Sequence, residues 1–164
     1  MEEWRYDIIE LQPYRAIGLK WDGAYTEIPE LKKIIHNMQE RVNELEHAVN
    51  PKLQLGLSYH LRPDGFIHYS VYEVSAEQKI PEGMEEVLVP GMHYFRTHHP
   101  KGSDIGRTYM NIYQWMKEKG KYKPYVENGL EYYDDLPIKH EQYPFDRDLS
   151  DPHFEILIPV KKEK

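Results

Sequence analysis

Apolar and polar residues alternate along 5–11, 15–21, 53–61 and 66–75, the pattern of half-buried strands. In 15–21, Ile17, Leu19 and Trp21 share one face, and Ala16, Gly18 and Lys20 share the other. A glycine inside a strand predicts a bulge or a close approach at Gly18. The spacing changes after Thr26. Ile28, Leu31, Ile35, Met38, Val42 and Leu45 then recur every three or four residues. This predicts a helix capped by Thr26, running to about residue 47 and stopped by Asn50-Pro51. Arg62-Pro63-Asp64-Gly65 reads as the turn between the third and fourth strands. The expected register sets Leu57, Tyr59 and Leu61 beside Phe66, His68 and Tyr72 on an apolar, helix-facing side. Gly56, Ser58 and His60 then share the other side with Ile67, Tyr69 and Val71.

The pattern then starts again. After a polar connector, 87–90 and 93–98 read as strands. Ser103 is placed as the cap of a helix through Lys119, with Ile105, Tyr109, Ile112 and Met116 on its apolar stripe and Gly120 at its end. A short strand is predicted at 130–134 and a polar loop at 136–152. The last strand is 154–160, where Phe154, Ile156, Ile158 and Val160 alternate with Glu155. Leu11-Gln12-Pro13, strand, Gly23, helix returns as Val89-Pro90-Gly91, strand, Gly102, helix. The chain therefore reads as one α+β domain, 1–164. It contains two strand-helix-strand-strand repeats, about 5–79 and 84–161, sharing an antiparallel sheet. Both helices are expected on one face. A ligand groove is expected at the pseudo-twofold seam, where the uncovered faces of the halves meet.

Composition narrows the function. Among 164 residues there are 14 Tyr, 3 Trp and only 4 Phe, so most flat rings carry a polar tip suited to a wet, ligand-lined surface. The formal charge of −7 opposes a nucleic-acid role, and no basic stripe offsets it. Lys161, Lys162 and Lys164 read as a solubilising end. The absence of cysteine excludes disulfides and thiol chemistry and fits a reducing compartment. The acidic start at Met1 shows no signal peptide, and no run suits a membrane span, so a cytoplasmic protein is expected.

The candidate chemistry centres on Glu155. Beside Phe154 and Ile156, its carboxylate is either solvated at a sheet edge or held in an apolar groove that selects cations. Trp21, Tyr25, Tyr69, Tyr94, Tyr113 and Tyr133 are each either core or groove wall; as walls they would stack on a flat cation. His98 is a candidate pH-sensitive wall. The histidines lack metal-ligand spacing, and no phosphate loop or nucleophile elbow occurs, so neither metal nor cofactor is expected.

The stretch Val89-Pro-Gly-Met-His-Tyr-Phe-Arg-Thr-His-His-Pro-Lys-Gly102, then Tyr109-x-x-x-Tyr113-x-Trp115, then Phe154-Glu-Ile-Leu-Ile-Pro-Val160, resembles the GyrI-like small-molecule-binding domain. Leu11-Gln-Pro-Tyr-Arg-Ala-Ile-Gly18 and Gly23-Ala-Tyr-Thr-Glu-Ile28 are similar to the opening of that domain. It also forms the effector-binding part of AraC- and MerR-type regulators. The resemblance implies a duplicated fold, an aromatic groove and an acid in the last strand, which maps onto Glu155. It further implies ligands that are aromatic or lipophilic cations, sensed or sequestered. Alternatives within the family are a hydrolase of cyclopropane-bearing compounds, with Glu155 catalytic, and a gyrase inhibitor. No helix-turn-helix precedes residue 5, so direct DNA binding is not expected, and any transcriptional output would pass through a protein partner such as a regulator.

Overall fold

A computed structural model describes residues 5–148 and 150–162; the chain start at 1–4 and Lys164 of the basic tail lie outside them. Among the described residues nine strands form one antiparallel sheet: β1 (Tyr6–Leu11), β2 (Tyr14–Ala24), β3 (Leu53–Arg62), β4 (Gly65–Val74), β5 (Glu85–Val89), β6 (Met92–His99), β7 (Tyr122–Pro124), β8 (Ile138–Pro144) and β9 (Phe154–Lys162). The same residues include two α-helices, α1 (Ile28–Glu40) and α2 (Ile105–Lys119). The strands lie in the order β1-β6-β9-β8-β3-β4-β2-β5, with β7 beside the end of β9.

This order shows the duplication. Strand β2, helix α1 and the hairpin β3–β4 correspond in order to β6, α2 and the pair β8–β9. The halves meet where β3 pairs with β8. The leading strands are exchanged: β1 pairs with β6 and β5 pairs with β2. Each repeat thus donates an edge strand to the other, which ties the halves into one core.

Lateral pairing fixes which residues share a face, because neighbours across a sheet point the same way. One row runs Leu19, Ser70, Gly56, Glu141, Ile156, Thr97, Tyr6 and faces the helices. The adjacent row, Gly18, Val71, Leu55, Gln142, Glu155, His98, faces away. Under α1, Met38 packs with Ile17, Tyr72 and Val74. Under α2, Ile112 and Met116 pack with Phe95, Phe154, Ile156, Ile158 and Val160. The far face has its own core of Ala16, Leu55, Leu57, Val71 and Val89. The connection from 125 to 137 is tied down at Pro159 and His60 by backbone hydrogen bonds from Tyr125 and Tyr133. Its residues Glu127, Leu130 and Tyr132 border a far-face cleft with Tyr59, Ile67 and Tyr69.

Several local expectations change. The register of β3 and β4 shifts between Tyr59 and Arg62, so Ser58 lies opposite His68 and Leu57 opposite Tyr69. A bulge moves a side-chain set to the other face. Gly56, Ser58 and His60 therefore face the helices, and Leu57 and Tyr59 face away. The first helix ends at Glu40 and is followed by a 3-10 turn at Val42–Glu44. It begins beyond Thr26, where the Glu27 carboxylate accepts the Ala24 N–H at 2.9 Å. Asp104, one residue after Ser103, caps α2 by accepting the Gly106 N–H at 3.0 Å, and Gly120 ends it at φ +64°. There is no strand at 130–134, while the expected loop 136–152 contains β8. Gly18 is a close approach: a Cβ there would lie 1.9 Å from the Ser70 carbonyl oxygen.

Candidate functional site

Lys139, Glu141 and Tyr143 are alternate residues of β8 and project from the helix-facing side of the seam. Opposite Glu141 lies Gly56, where a Cβ would sit 2.9 Å from both His68 and Tyr143. A larger residue would therefore push on the ring beside the acid. Over this floor lies a cavity of about 520 Å³, between α1 and the start of α2. Glu141, Tyr143, Phe154 and His99 line it from the sheet, Ile35 from α1 and Ile105 from α2. That volume falls within the ordinary range for small-molecule sites.

The Glu141 carboxylate accepts hydrogen bonds from the hydroxyls of Tyr109, on α2, and Tyr143. Burial pushes its carboxyl up from the ordinary value of 4.5; the two phenols and the Lys139 charge pull the other way without cancelling it. Both tyrosines are raised well above 10 by burial and then by the neighbouring carboxylate, so they remain donors. Arg147 also lines the cavity, but its donors are engaged by the Gln54 side-chain oxygen and, at 3.1 Å, the Pro144 carbonyl. Its guanidinium lies 4.9 Å from the Tyr143 ring centroid. Arg147 thus braces the wall, and Glu141 is the acid at the cavity base.

Beside Glu141 is a polar cluster. The Lys139 ammonium donates to His60 Nε2 at 3.1 Å and to Asp134 at 3.3 Å, and lies 4.9 Å from the centroid of the Tyr109 ring. An ammonium only donates, so His60 Nε2 is the acceptor and Nδ1 carries the proton, directed to the Tyr25 oxygen at 3.1 Å. Burial, then the Lys139 charge, lowers His60 to about 4.

The residues picked from sequence scatter around this site. Glu155 faces away from the helices, its side chain 41% exposed, and its Oε1 is 3.1 Å from His98 Nδ1. Neither it nor His98 lines the 520 Å³ cavity. Phe154, Ile156 and Ile158 do pack under α2, as the alternation requires, and this turns Glu155 outward. The cavity lies on the helix-covered face, not the uncovered one. Trp21 is buried edge-on to Phe66, and exposed Tyr25 holds His60. Tyr69 and Tyr94 are on the far face, Tyr69 edge-on to Tyr59 and Tyr94 buried against His140. Tyr113 packs at the edge of the α2 core with Lys117 over its ring, and Tyr133 is exposed. None of these rings lines that cavity. Glu141, Tyr143 and Lys139 are not among the residues expected from sequence, because 136–152 has the polar composition of a loop. The available signal was the alternation of Lys139, Glu141 and Tyr143.

Among the described residues no group of three His, Asp or Glu is placed to hold a metal ion, and no helix is long and apolar enough to cross a membrane. A duplicated α+β sheet carrying a closed-in acid and ringed cavity defines a small-molecule-binding module. The GyrI-like family, described as the GyrI-like small molecule binding domain, matches residues 5–161, and the chain belongs to it. No curated protein matches the sequence. Solved structures share the fold. The EcmrR C-terminal domain superposes with a TM-score of 0.67 at 15% identity, over 98% of this chain and 99% of that one. In EcmrR bound to DNA, the match spans 58% of the EcmrR chain. SAV2435 bound to tetraphenylphosphonium gives 0.63 at 13% identity, covering 96% and 94%. A hydrolase from Listeria innocua gives 0.58 at 12% identity, covering 98% and 94%.

Proposed function

We propose that this protein binds lipophilic, ring-bearing cations in the cavity between α1 and α2, with Glu141 as the counter-charge, and acts by sensing or sequestering them. One observation carries the reading: a carboxylate held by Tyr109 and Tyr143 at the base of a cavity of about 520 Å³ whose walls include Phe154, Ile35 and Ile105. An anion already desolvated gains from a cation whose own charge is spread out and weakly hydrated. The Phe154 ring adds stacking area, worth about 0.5–2 kcal/mol for a cation over its face, while the Tyr143 ring already carries the Arg147 guanidinium. Glu141, not the outward-facing Glu155, supplies the charge in this reading. SAV2435, similar in fold, is bound to tetraphenylphosphonium, which makes that ion the natural probe. The location would be cytoplasmic.

The test is a thermal-shift titration with tetraphenylphosphonium and with neutral triphenylphosphine oxide. The cation is expected to raise the melting temperature and the neutral analogue to do so far less. Equal shifts, or none, would remove the electrostatic reading.

A second reading is hydrolysis of a reactive small molecule. It is favoured by the raised Glu141 carboxyl between two phenols, a placement suited to proton transfer, and by the Listeria innocua hydrolase of the same fold. Turnover of a strained electrophile that Glu141→Gln abolishes while binding persists would establish it. Binding without consumption would exclude it for that substrate.

A further inference from the structure

Lys32 and Arg147 line the cation site, and a third cation, Lys139, stands behind its acid, outside the cavity lining. Lys139 leaves β8 two residues before Glu141, on the same face. Its ammonium lies 4.9 Å from the Tyr109 ring centroid, and the hydroxyl of that ring donates to Glu141. The side chain is 15% exposed and is held by Asp134 at 3.3 Å and by His60 at 3.1 Å. Neutral His60 offers it a lone pair and no opposing charge. The Lys139 charge is felt at Glu141, where it lowers the carboxyl against the effect of burial.

We infer that Lys139 is a specificity-determining residue: a tethered internal cation that occupies the Tyr109 ring and limits how strongly the groove takes positively charged ligands. The inference rests on the cation-binding reading of the cavity. A ligand cation reaching Glu141 from the cavity, past Lys32, Arg147 and Asp151 of its lining, meets a further positive charge behind the acid, one that is paired with Asp134 and laid over the Tyr109 ring. Compact or doubly charged cations suffer most from that repulsion. A single charge spread over several rings suffers least, because it keeps its distance from Lys139 while still covering the carboxylate. Asp134 is then a positioning residue, setting where the ammonium sits and how much of its charge is felt.

The experiment measures binding of tetraphenylphosphonium and triphenylphosphine oxide at about pH 8, above the ordinary carboxylate range. Lys139→Met should bind the cation more tightly, by up to ~10-fold, the size expected for removing one screened charge. Binding of the neutral analogue should be unchanged. Lys139→Arg should behave as the wild type. Asp134→Asn, which keeps the oxygen that accepts the Leu136 N–H at 2.9 Å but removes the counter-charge, should weaken cation binding. A merely structural role would move both ligands together. Lys139→Met binding the cation no better than the wild type, or both ligands shifting equally, would overturn the inference. A ligand-free readout stands beside it. The Glu141 carboxyl, followed by carbon NMR, should titrate at higher pH in Lys139→Met than in the wild type, and an unchanged midpoint would also overturn it. If no form of the protein binds tetraphenylphosphonium, the cation reading fails and the specificity role fails with it; the NMR titration then decides only whether Lys139 acts on Glu141.

Discussion

Glu141 and Glu155 leave the β8–β9 pair on opposite faces: Glu141 lies opposite Ile156, and Glu155 lies opposite Gln142. One carboxylate is closed under the helices against Tyr109 and Tyr143, and the other is solvated beside His98. Strand parity alone sends one acid to the cavity under the helices and the other to the far face.

The two phenols should set the basicity of Glu141. Tyr143→Phe removes one charge-assisted hydrogen bond, of a kind worth roughly 1.5–3 kcal/mol, and leaves the ring in place. The Glu141 carboxyl should then titrate at higher pH than in the wild type, and cation binding near neutral pH should weaken. Carbon NMR titration of the glutamates checks this; a lower or unchanged midpoint would mean the phenol does not stabilise the anion.

Cation binding should also depend on pH. The Glu141 carboxyl is raised above 4.5, so it takes up a proton as pH falls through that raised value, and the attraction is lost there. Protonation of His99, which also lines the cavity and is lowered by burial, opposes cations in the same direction. Glu141→Gln isolates the acid. Affinity should fall on acidification more steeply in the wild type than in this variant, as calorimetry at several pH values would show.

Acid stability is dominated by buried imidazoles. Burial lowers His68 to about 4 and His140 to about 3, and burial with the Lys139 charge lowers His60 to about 4. Below the unfolded value of 6.5, the unfolded chain binds protons that the native chain refuses. Stability is therefore complete above about pH 6.5 and falls as pH drops towards the folded values, by about 1.4 kcal/mol per pH unit for each histidine. Glu141, raised, works the other way between 4.5 and its folded value, but it is one group against four, since burial lowers His99 as well. Denaturant melts should show a loss of stability between about pH 6.5 and 5. His140→Leu should make that loss shallower. His140 is the cleanest choice because neither of its ring nitrogens has a partner among the described residues.

Gly18 should tolerate no side chain. An alanine Cβ would fall 1.9 Å from the Ser70 carbonyl oxygen, which is backbone and cannot swing aside. Strands β2 and β4 would have to separate, and overpacking of this kind costs about 1–3 kcal/mol or more. Urea melts of Gly18→Ala should show that loss, and a stability equal to the wild type would mean the strand pair is looser than its pairing indicates.

The duplicated pattern was legible because apolar alternation and helical spacing recur in both halves, from Ile17 to Met38 and again from Phe95 to Met116. The close approach at Gly18 was legible for the same local reason. The site was not, because its floor is made by strands whose partners lie elsewhere. In β8 the only aliphatic residue is Ile138. Strand β3 on one side and β9 on the other supply its hydrogen bonds, so it needs no apolar alternation to hold its place. The bulge between Tyr59 and Arg62 hid the rest: it turns Gly56, Ser58 and His60 toward the helices, and no residue in the turn announces the shift. Glu155 drew attention because it stands in an obvious strand, and its exposure follows from the same alternation that made the strand obvious.

Titration calorimetry with tetraphenylphosphonium on the wild type, Glu141→Gln and Glu155→Gln bears most directly on the cation site. The wild type should bind. Glu141→Gln should lose at least about tenfold in affinity, as removal of a desolvated counter-charge implies, and Glu155→Gln should bind within about twofold of the wild type. Loss of binding in Glu155→Gln with Glu141→Gln unaffected would contradict the assignment and return the site to the far face of the sheet.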